Sequence, residues 1–265
     1  MNQSLVQKKF GEAASDYAAS VVHASGPSLC RLVDLVAPLR HWRALDVATG
    51  AGHTALAFAP AVDRVVASDI TDEMLAEAAK LAAARGLANV ETAKAEAGSL
   101  PFADASFDLV TCRLAAHHFP DPAAFVAESF RVLRPGGVFA LVDNVSPDAS
   151  MLPLATSAEV LDAARTFNTY EKTRDPSHAR ALSLSEWHAL LETTGFALAS
   201  SEVIDQHIAF RPWAERMRCS PETVEVLKSM LHGDTFLRTF LRPREENGEA
   251  MFTLQEAIIV ARKPS

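Results

Sequence analysis

Between residues 43 and 143 short β-rich apolar runs alternate with stretches whose apolar residues fall three and four apart. The first pattern is that of strands buried on both faces, the second that of amphipathic helices. Residues 43–48 (RALDVA) read as a first strand that ends in a glycine loop, and 54–59 as the first turns of a helix. Residues 64–69 (RVVASD) make a second strand. The helix predicted over 71–85 carries Met74, Leu75, Ala78, Leu81 and Ala82 on one face. Asp72 and Glu73 sit where a helix N-terminus favours negative charge, and Gly86 takes the position after the last turn. Residues 89–94 and 107–112 (FDLVTC) are the third and fourth strands. A helix over 123–133 stops at the turn cluster Arg134-Pro135-Gly136-Gly137, which launches a fifth strand over 138–143.

The regular β-α alternation ends near Asn144. Residues 146–180 are irregular to helical. Residues 183–194 form a helix with Leu184, Trp187, Leu190 and Leu191 at helical spacing, ended by Gly195. Residues 196–210 read as a long sixth strand, 211–248 as a second helical insertion and 251–262 (MFTLQEAIIVAR) as the last strand. Seven strands joined by helical crossovers predict an α/β fold, a doubly wound, mostly parallel sheet with helices on both faces. A single domain is expected over 1–265, with an N-terminal helical lid at 1–40, a ligand-binding core at 41–145 and cap insertions at 146–180 and 211–248.

With 49% hydrophobic and 22% charged residues the chain is an ordinary globular one. A net charge of −8 and the lack of a Lys/Arg stripe argue against a nucleic-acid partner. Cys30, Cys112 and Cys219 are too widely spaced for a zinc site or a disulfide framework, and reduced, partly buried thiols are expected. The first residues lack the apolar segment of a signal peptide, and no apolar run nears the roughly 18 residues of a membrane span. A cytoplasmic protein without a membrane partner is the expectation, and a homodimer is left open.

The segment Asp46-Val47-Ala48-Thr49-Gly50-Ala51-Gly52 sits at the first strand-to-helix junction. A tight turn with close backbone approach to a ligand suits Gly50 and Gly52. Gly50–Ala55 also satisfies the G-x-G-x-x-A dinucleotide pattern, so the loop alone leaves two cofactor classes open. Asp46 is placed to orient a positively charged ligand or the loop amides, whereas a carboxylate there would repel a pyrophosphate. Asp69, at the end of the next strand, is placed to accept hydrogen bonds from ribose hydroxyls, which both classes possess.

Further segments follow in order: S-D-I-T-D-E-M-L from Ser68, E-A-G-S-L-P-F-A-D-A-S-F-D from Glu96, A-A-H-H-F-P-D-P from Ala115 and R-V-L-R-P-G-G from Arg131. Together with the glycine loop, this series over residues 40–145 resembles the class I S-adenosylmethionine-dependent methyltransferases, in particular their type 11, UbiE-like branch. The resemblance implies the Rossmann-like fold of that class, with an antiparallel last strand, and S-adenosylmethionine as cofactor. It implies that Asp46 and the loop from Ala48 through Gly50 to Gly52 surround the methionine part. It implies that Asp69 holds the ribose, that Ile70 packs on adenine, and that Glu96 and the Ala97 amide meet the adenine edge. Arg113 and Leu114 would line the cofactor and the transfer site. Ala48 replaces the first glycine of the commoner loop, and Glu96 stands where aspartate is usual. Tyr17, within F-G-E-A-A-S-D-Y, is the candidate lid residue, with His23 nearby.

Methyl transfer is an in-line displacement at an activated methyl, so a base is needed only if the acceptor must lose a proton. His117 and His118, after the fourth strand, are the base candidates, with His117 preferred and a loop-orienting role as the alternative. His53 is expected to pack beside the cofactor, and Asp143-Asn144 to point toward the ligand edge. The ionisable run Tyr170–His178 is read as a solvated face with Arg174 and Asp175 paired, ahead of a substrate contact. Trp213 and Arg211 are candidates for the pocket wall, and Trp187 for the core. No metal-ligand spacing is present. The expected activity is methyl transfer to a small-molecule acceptor at oxygen, nitrogen or carbon. The rivals are a nicotinamide-dependent oxidoreductase, which leaves the downstream segments unexplained, and a non-catalytic S-adenosylmethionine binder.

Overall fold

The structure is a computed structural model that describes residues 26–265 together with Gln7 and Gly11. Helix α1 (Pro27–Val36) precedes β1 (Arg43–Val47), α2 (His53–Phe58), β2 (Arg64–Asp69), α3 (Asp72–Ala84) and β3 (Val90–Lys94). Next come β4 (Phe107–Arg113), α4 (Pro122–Val132) and β5 (Leu133–Asn144). Helices α5 (Ser157–Arg174) and α6 (Leu184–Thr194) lead to β6 (Ala197–Ala209). Helices α7 (Phe210–Arg216), α8 (Pro221–Gly233) and α9 (Thr235–Leu241) precede β7 (Arg244–Glu246) and β8 (Glu249–Arg262).

The sheet order is β3-β2-β1-β4-β5-β8-β6, with β7 paired to β8. Strands β1 to β5 pair in parallel, and β8 runs antiparallel to both β5 and β6. The sheet therefore has eight strands rather than seven, because the second insertion returns through a three-residue strand, β7, that hairpins onto β8. The fold is otherwise the Rossmann-like α/β arrangement expected. The last strand is antiparallel, and the order reverses direction between β1 and β4.

Core strands are covered on both faces, which explains their near-continuous apolar runs. Leu45 and Val47 of β1 pack with Val110, Phe139 and Trp187 on one face, while Ala44 joins Leu109, Val138 and Phe58 on the other. Trp187, 1% exposed, is a core residue as its helical spacing predicts. On α3 the residues Met74, Leu75, Ala78 and Ala82 are buried, and Leu81 is half-buried.

Most boundaries shift by only a residue or two from the sequence pattern, and two departures are larger. Strand β5 begins at Leu133, and the Arg134–Gly137 cluster lies inside it as an irregularity: Phe107 faces Leu133 while Leu109 already faces Val138. Residues 157–174 form one long helix, α5, which opens on a reciprocal capping box between Thr156 and Glu159. Helices α5 and α7–α9 share a separate apolar cluster around Phe167, Tyr170, Trp213 and Phe240. These helices and the ends of β6 and β8 form the cap. Among the described residues no helix is long and apolar enough to cross a membrane.

Candidate active site

A cavity of about 390 Å³ opens where the strand order reverses. It is lined by the segments that follow β1 (Ala48–Ala51), β2 (Asp69–Thr71), β3 (Ala95–Gly98) and β4 (Arg113–Ala115), with His118 and Phe119 beyond. Ligands of open α/β sheets bind at this carboxyl edge because diverging crossovers leave a crevice there. Of the expected site residues, Ala48, Gly50, Asp69, Ile70, Glu96, Ala97, Arg113 and Leu114 line the cavity, as does His53. Asp46, Gly52 and His117 stand behind its wall, and Tyr17 and His23 lie outside the described residues.

Asp46 is 1% exposed and acts on the loop itself. Its Oδ2 accepts from the Thr49 hydroxyl at 2.5 Å and the Ala55 N–H at 3.1 Å, and its Oδ1 from the Thr111 hydroxyl at 2.6 Å. The carboxylate therefore joins the glycine loop, the start of α2 and the neighbouring strand β4. Burial pushes its pKa up to about 6, against the pull of those hydrogen bonds. Gly52 is required by packing: at φ +89° a Cβ would come within 2.9 Å of Ala78 Cβ on α3. At Gly50 a Cβ would make only an ordinary contact, 4.0 Å from Met74 Sδ, and the glycine is required by its backbone, at φ +53°.

Ala48, which replaces the usual first glycine, adopts φ +52°, and Leu114 adopts φ +54°. Both are left-handed conformations that penalise a side chain, and both border the cavity, where such strain tends to collect. Ala48→Gly is expected to stabilise the protein by about 0.5–1 kcal/mol, seen as a higher urea midpoint at unchanged slope. A lower midpoint would contradict the strain assigned to this position.

Asp69, 7% exposed, accepts the Gly50 N–H at 2.9 Å through Oδ2 and the Thr71 N–H at 2.9 Å through Oδ1. The Thr71 hydroxyl and the Ile70 N–H also hydrogen-bond this carboxylate, which is thereby held at the end of β2 on the cavity wall. Burial raises its pKa above the usual carboxylate value. Gln7 donates through its side-chain amide to the Ile70 carbonyl at 3.0 Å, which brings that N-terminal residue to the cavity rim. Burial lowers the pKa of Arg113, opposed by the charges of Glu256 and Asp46.

The two histidines divide their roles. His118 lines the cavity and His117 packs against it, ring centroids 4.2 Å apart. Asp143 accepts the His117 backbone N–H at 2.7 Å, and its other oxygen lies 2.5 Å from His117 Nδ1. The His117 pKa rises above its ordinary value; burial opposes the rise, and the Asp143 charge and hydrogen bond drive it. Burial and the neighbouring His117 charge push His118 down to about 3. Asp143 thus faces His117 and not the ligand edge.

The run Tyr170–His178 is not a solvated face. Tyr170, Glu171, Asp175, Ser177 and His178 are all buried, Tyr170 in the cap core and Ser177 and His178 against the histidine pair. Arg174 lies 3.6 Å from Glu171 and stacks over Trp213 at 4.6 Å, and Asp175 pairs with Ser177. The surface pattern failed because α5 packs against the other cap helices and the turn after it folds onto the histidine pair, where buried polar groups find partners. Trp213 belongs to the cap core and Arg211 is exposed, so neither lines the cavity. Spacing alone missed Ser177 as a neighbour of His118, 59 residues away. The Asp-Pro-Ser turn was the only local signal. Among the described residues no cluster of His, Cys, Asp and Glu is arranged to hold a metal ion. None of the three cysteines forms a disulfide; Cys30 is exposed and Cys112 buried, while Cys219 donates to the Arg174 carbonyl at 3.6 Å.

Comparison with known proteins agrees with this architecture. A family model described as a methyltransferase domain, type 11, matches residues 45–141. YcgJ of Bacillus subtilis, an uncharacterized methyltransferase, is 34% identical over 253 residues, 95% of this chain and 96% of its own. The crystal structure of YcgJ superposes with a TM-score of 0.81 at 33% identity, covering 90% of this chain and 98% of that one. A candidate methyltransferase of Bacillus halodurans reaches the same TM-score of 0.81 at 36% identity, over 89% of this chain and 99% of its own. The demethylmenaquinone methyltransferase of Thermus thermophilus is 40% identical over 120 residues, 44% of this chain and 54% of its length.

Proposed function

This chain belongs to the class I S-adenosylmethionine-dependent methyltransferases, in their type 11, UbiE-like group, and from that premise we propose that it transfers a methyl group from S-adenosylmethionine to a small-molecule acceptor. The observation that carries the reading is the cavity at the β1/β4 crevice, with the Asp69 carboxylate on one side and His118 on the other. The donor set fits the cofactor. Asp69 offers a carboxylate at the end of β2 for the ribose hydroxyls, Glu96 a second one beyond β3, and Gly50 turns the loop at φ +53°.

When bound, the cofactor supplies a methyl already activated on a sulfonium. The protein's part is alignment and exclusion of water. Asp46 stiffens the loop from behind, Leu114 and Phe119 supply apolar wall, and His118 accepts a hydrogen bond from the acceptor. His117 acts through its contact with His118 and not as the base itself. A small acceptor fits a cavity of this size, since about 300–1,000 Å³ is usual for small-molecule sites. Three cysteines outside any disulfide, one of them exposed, suit a reducing compartment, and a cytoplasmic location is part of the proposal.

Calorimetry with S-adenosylhomocysteine and with NAD tests the cofactor. Micromolar binding of the first is expected, and binding of NAD alone would replace this reading with an oxidoreductase. Asp69→Ala is expected to weaken S-adenosylhomocysteine binding about tenfold or more, through loss of charge-assisted hydrogen bonds worth roughly 1.5–3 kcal/mol. Unchanged affinity in a folded variant would remove Asp69 from the site. A screen of small-molecule acceptors for S-adenosylhomocysteine release then tests turnover. Confirmed binding with no release across the panel would favour a non-catalytic binder.

A further inference from the structure

We propose that the cap turn Asp175-Pro176-Ser177 is a positioning device that fixes the tautomer of His118 and presents its Nε2 to the methyl acceptor as an unprotonated hydrogen-bond acceptor. This inference rests on the methyltransferase reading above and extends it to residues of the cap. His118 Nδ1 lies 3.1 Å from the Ser177 carbonyl oxygen, an atom that can only accept. The proton of that contact must therefore sit on Nδ1. The Ser177 hydroxyl is 3.3 Å from the same nitrogen, and it gives its own proton to Asp175 Oδ1 at 2.6 Å. Toward His118, then, the hydroxyl also presents a lone pair. Both oxygens demand Nδ1–H, and a neutral ring protonated there carries its lone pair on Nε2.

The turn is held firmly enough to impose that choice. Asp175 Oδ1 also accepts the Ser177 N–H at 2.9 Å, which aims the following carbonyl. The Ala179 and Arg180 N–H groups donate to the His117 carbonyl at 2.9 and 3.0 Å, so the cap segment clasps the histidine pair from both sides. Asp175 is 4% exposed and Ser177 fully buried. The low pKa of His118, caused by burial and by the charge on His117, keeps the ring neutral well below pH 7. An acceptor molecule matched to this site carries a proton on or beside its reacting atom. Neither Asp175 nor Ser177 lines the cavity, so their effect on the methyl acceptor runs through His118.

The test uses the full chain labelled with ¹⁵N-histidine, with S-adenosylhomocysteine added, and reads long-range ¹H–¹⁵N correlations at pH 7. His118 is assigned by the signals lost in His118→Gln. The expected wild-type result is a protonated Nδ1 and an unprotonated Nε2. Asp175→Asn, whose amide oxygen can still accept both Ser177 protons, is expected to keep that pattern. Asp175→Ala is expected to shift His118 toward the Nε2–H form, with S-adenosylhomocysteine affinity within about twofold of wild type. An Nε2–H ring in the wild type overturns the proposal even if Asp175→Ala does not fold. An unchanged tautomer in a folded Asp175→Ala overturns it as well. Failure of the wild type to bind S-adenosylhomocysteine would instead strike the methyltransferase reading, and the tautomer measured without that ligand would still decide this one.

Discussion

Asp46→Ala is expected to lower unfolding stability by at least about 3 kcal/mol and to abolish measurable S-adenosylhomocysteine binding. Three donors lose this acceptor at once: the Thr49 hydroxyl, the Ala55 N–H and the Thr111 hydroxyl, which keeps only a longer contact to the Leu45 carbonyl at 3.4 Å. Leaving a buried donor unsatisfied costs about 1–3 kcal/mol each, although neighbours that share one acceptor do not add fully. Asp46 is 1% exposed, so water does not readily replace it. The binding loss has a separate cause. The carboxylate joins the glycine loop to α2 and β4, and a loop freed from it must be reordered by the ligand at the ligand's expense. Asp46→Asn should fall between, because its amide oxygen can serve one side while its N–H₂ opposes donors on the other. Urea titrations of both variants with calorimetry on the folded fraction check this. An alanine variant with near-native stability would mean that the loop is held by its own backbone.

The second large effect is expected from Asp143→Ala, at about 3–5 kcal/mol near pH 6, the range for removing one partner of a buried ion pair. Asp143 holds His117 twice, by backbone and by ring, and also accepts the Asn144 N–H at 3.0 Å. The direction with pH follows from the raised pKa of His117. A histidine whose folded pKa lies above its unfolded value contributes stability that is fully present below about pH 6.5 and is lost as pH rises through the folded value. The gap between wild type and variant should therefore be widest in mild acid and narrow at alkaline pH. Denaturant titrations at pH 6 and pH 9 measure it. A gap that widened toward pH 9 would show that His117 is not protonated in the folded protein.

Much of the core was legible because its signals are local. Strand β2 spans residues 64–69 as the pattern predicts, and α3 differs by one residue at each end. Ser183 with Glu186 starts α6, and Gly195 ends it in the left-handed conformation. The cavity residues from Ala48 to Leu114 were reachable for a related reason. In a parallel sheet every strand ends on the same edge, so residues just past successive strands meet without further information. The short β7 was missed because three residues cannot show a period. Asp46 was placed correctly at the strand end, but its partner Thr111 belongs to β4 and its role in holding the loop emerges only from that pairing.

The histidine pair and the cap mark the other limit. Adjacent histidines offer no sequence cue as to which faces the ligand, and the ring that lines the cavity is His118, not His117. The run Tyr170–His178 is dense in charge, and charge density alone predicts exposure because a lone buried charge is unaffordable. Its burial depends in part on partners from far along the chain: His118 for the Ser177 carbonyl, and the Trp213 carbonyl for Arg174. The sequence by itself determined the α/β class, the switch-point loop and the acidic residue that ends β2, all properties of strands read one at a time. Only the tertiary structure decided which histidine lines the cavity and that a charged cap segment turns inward to hold it, because those depend on long-range pairing of buried polar groups, which no local period encodes.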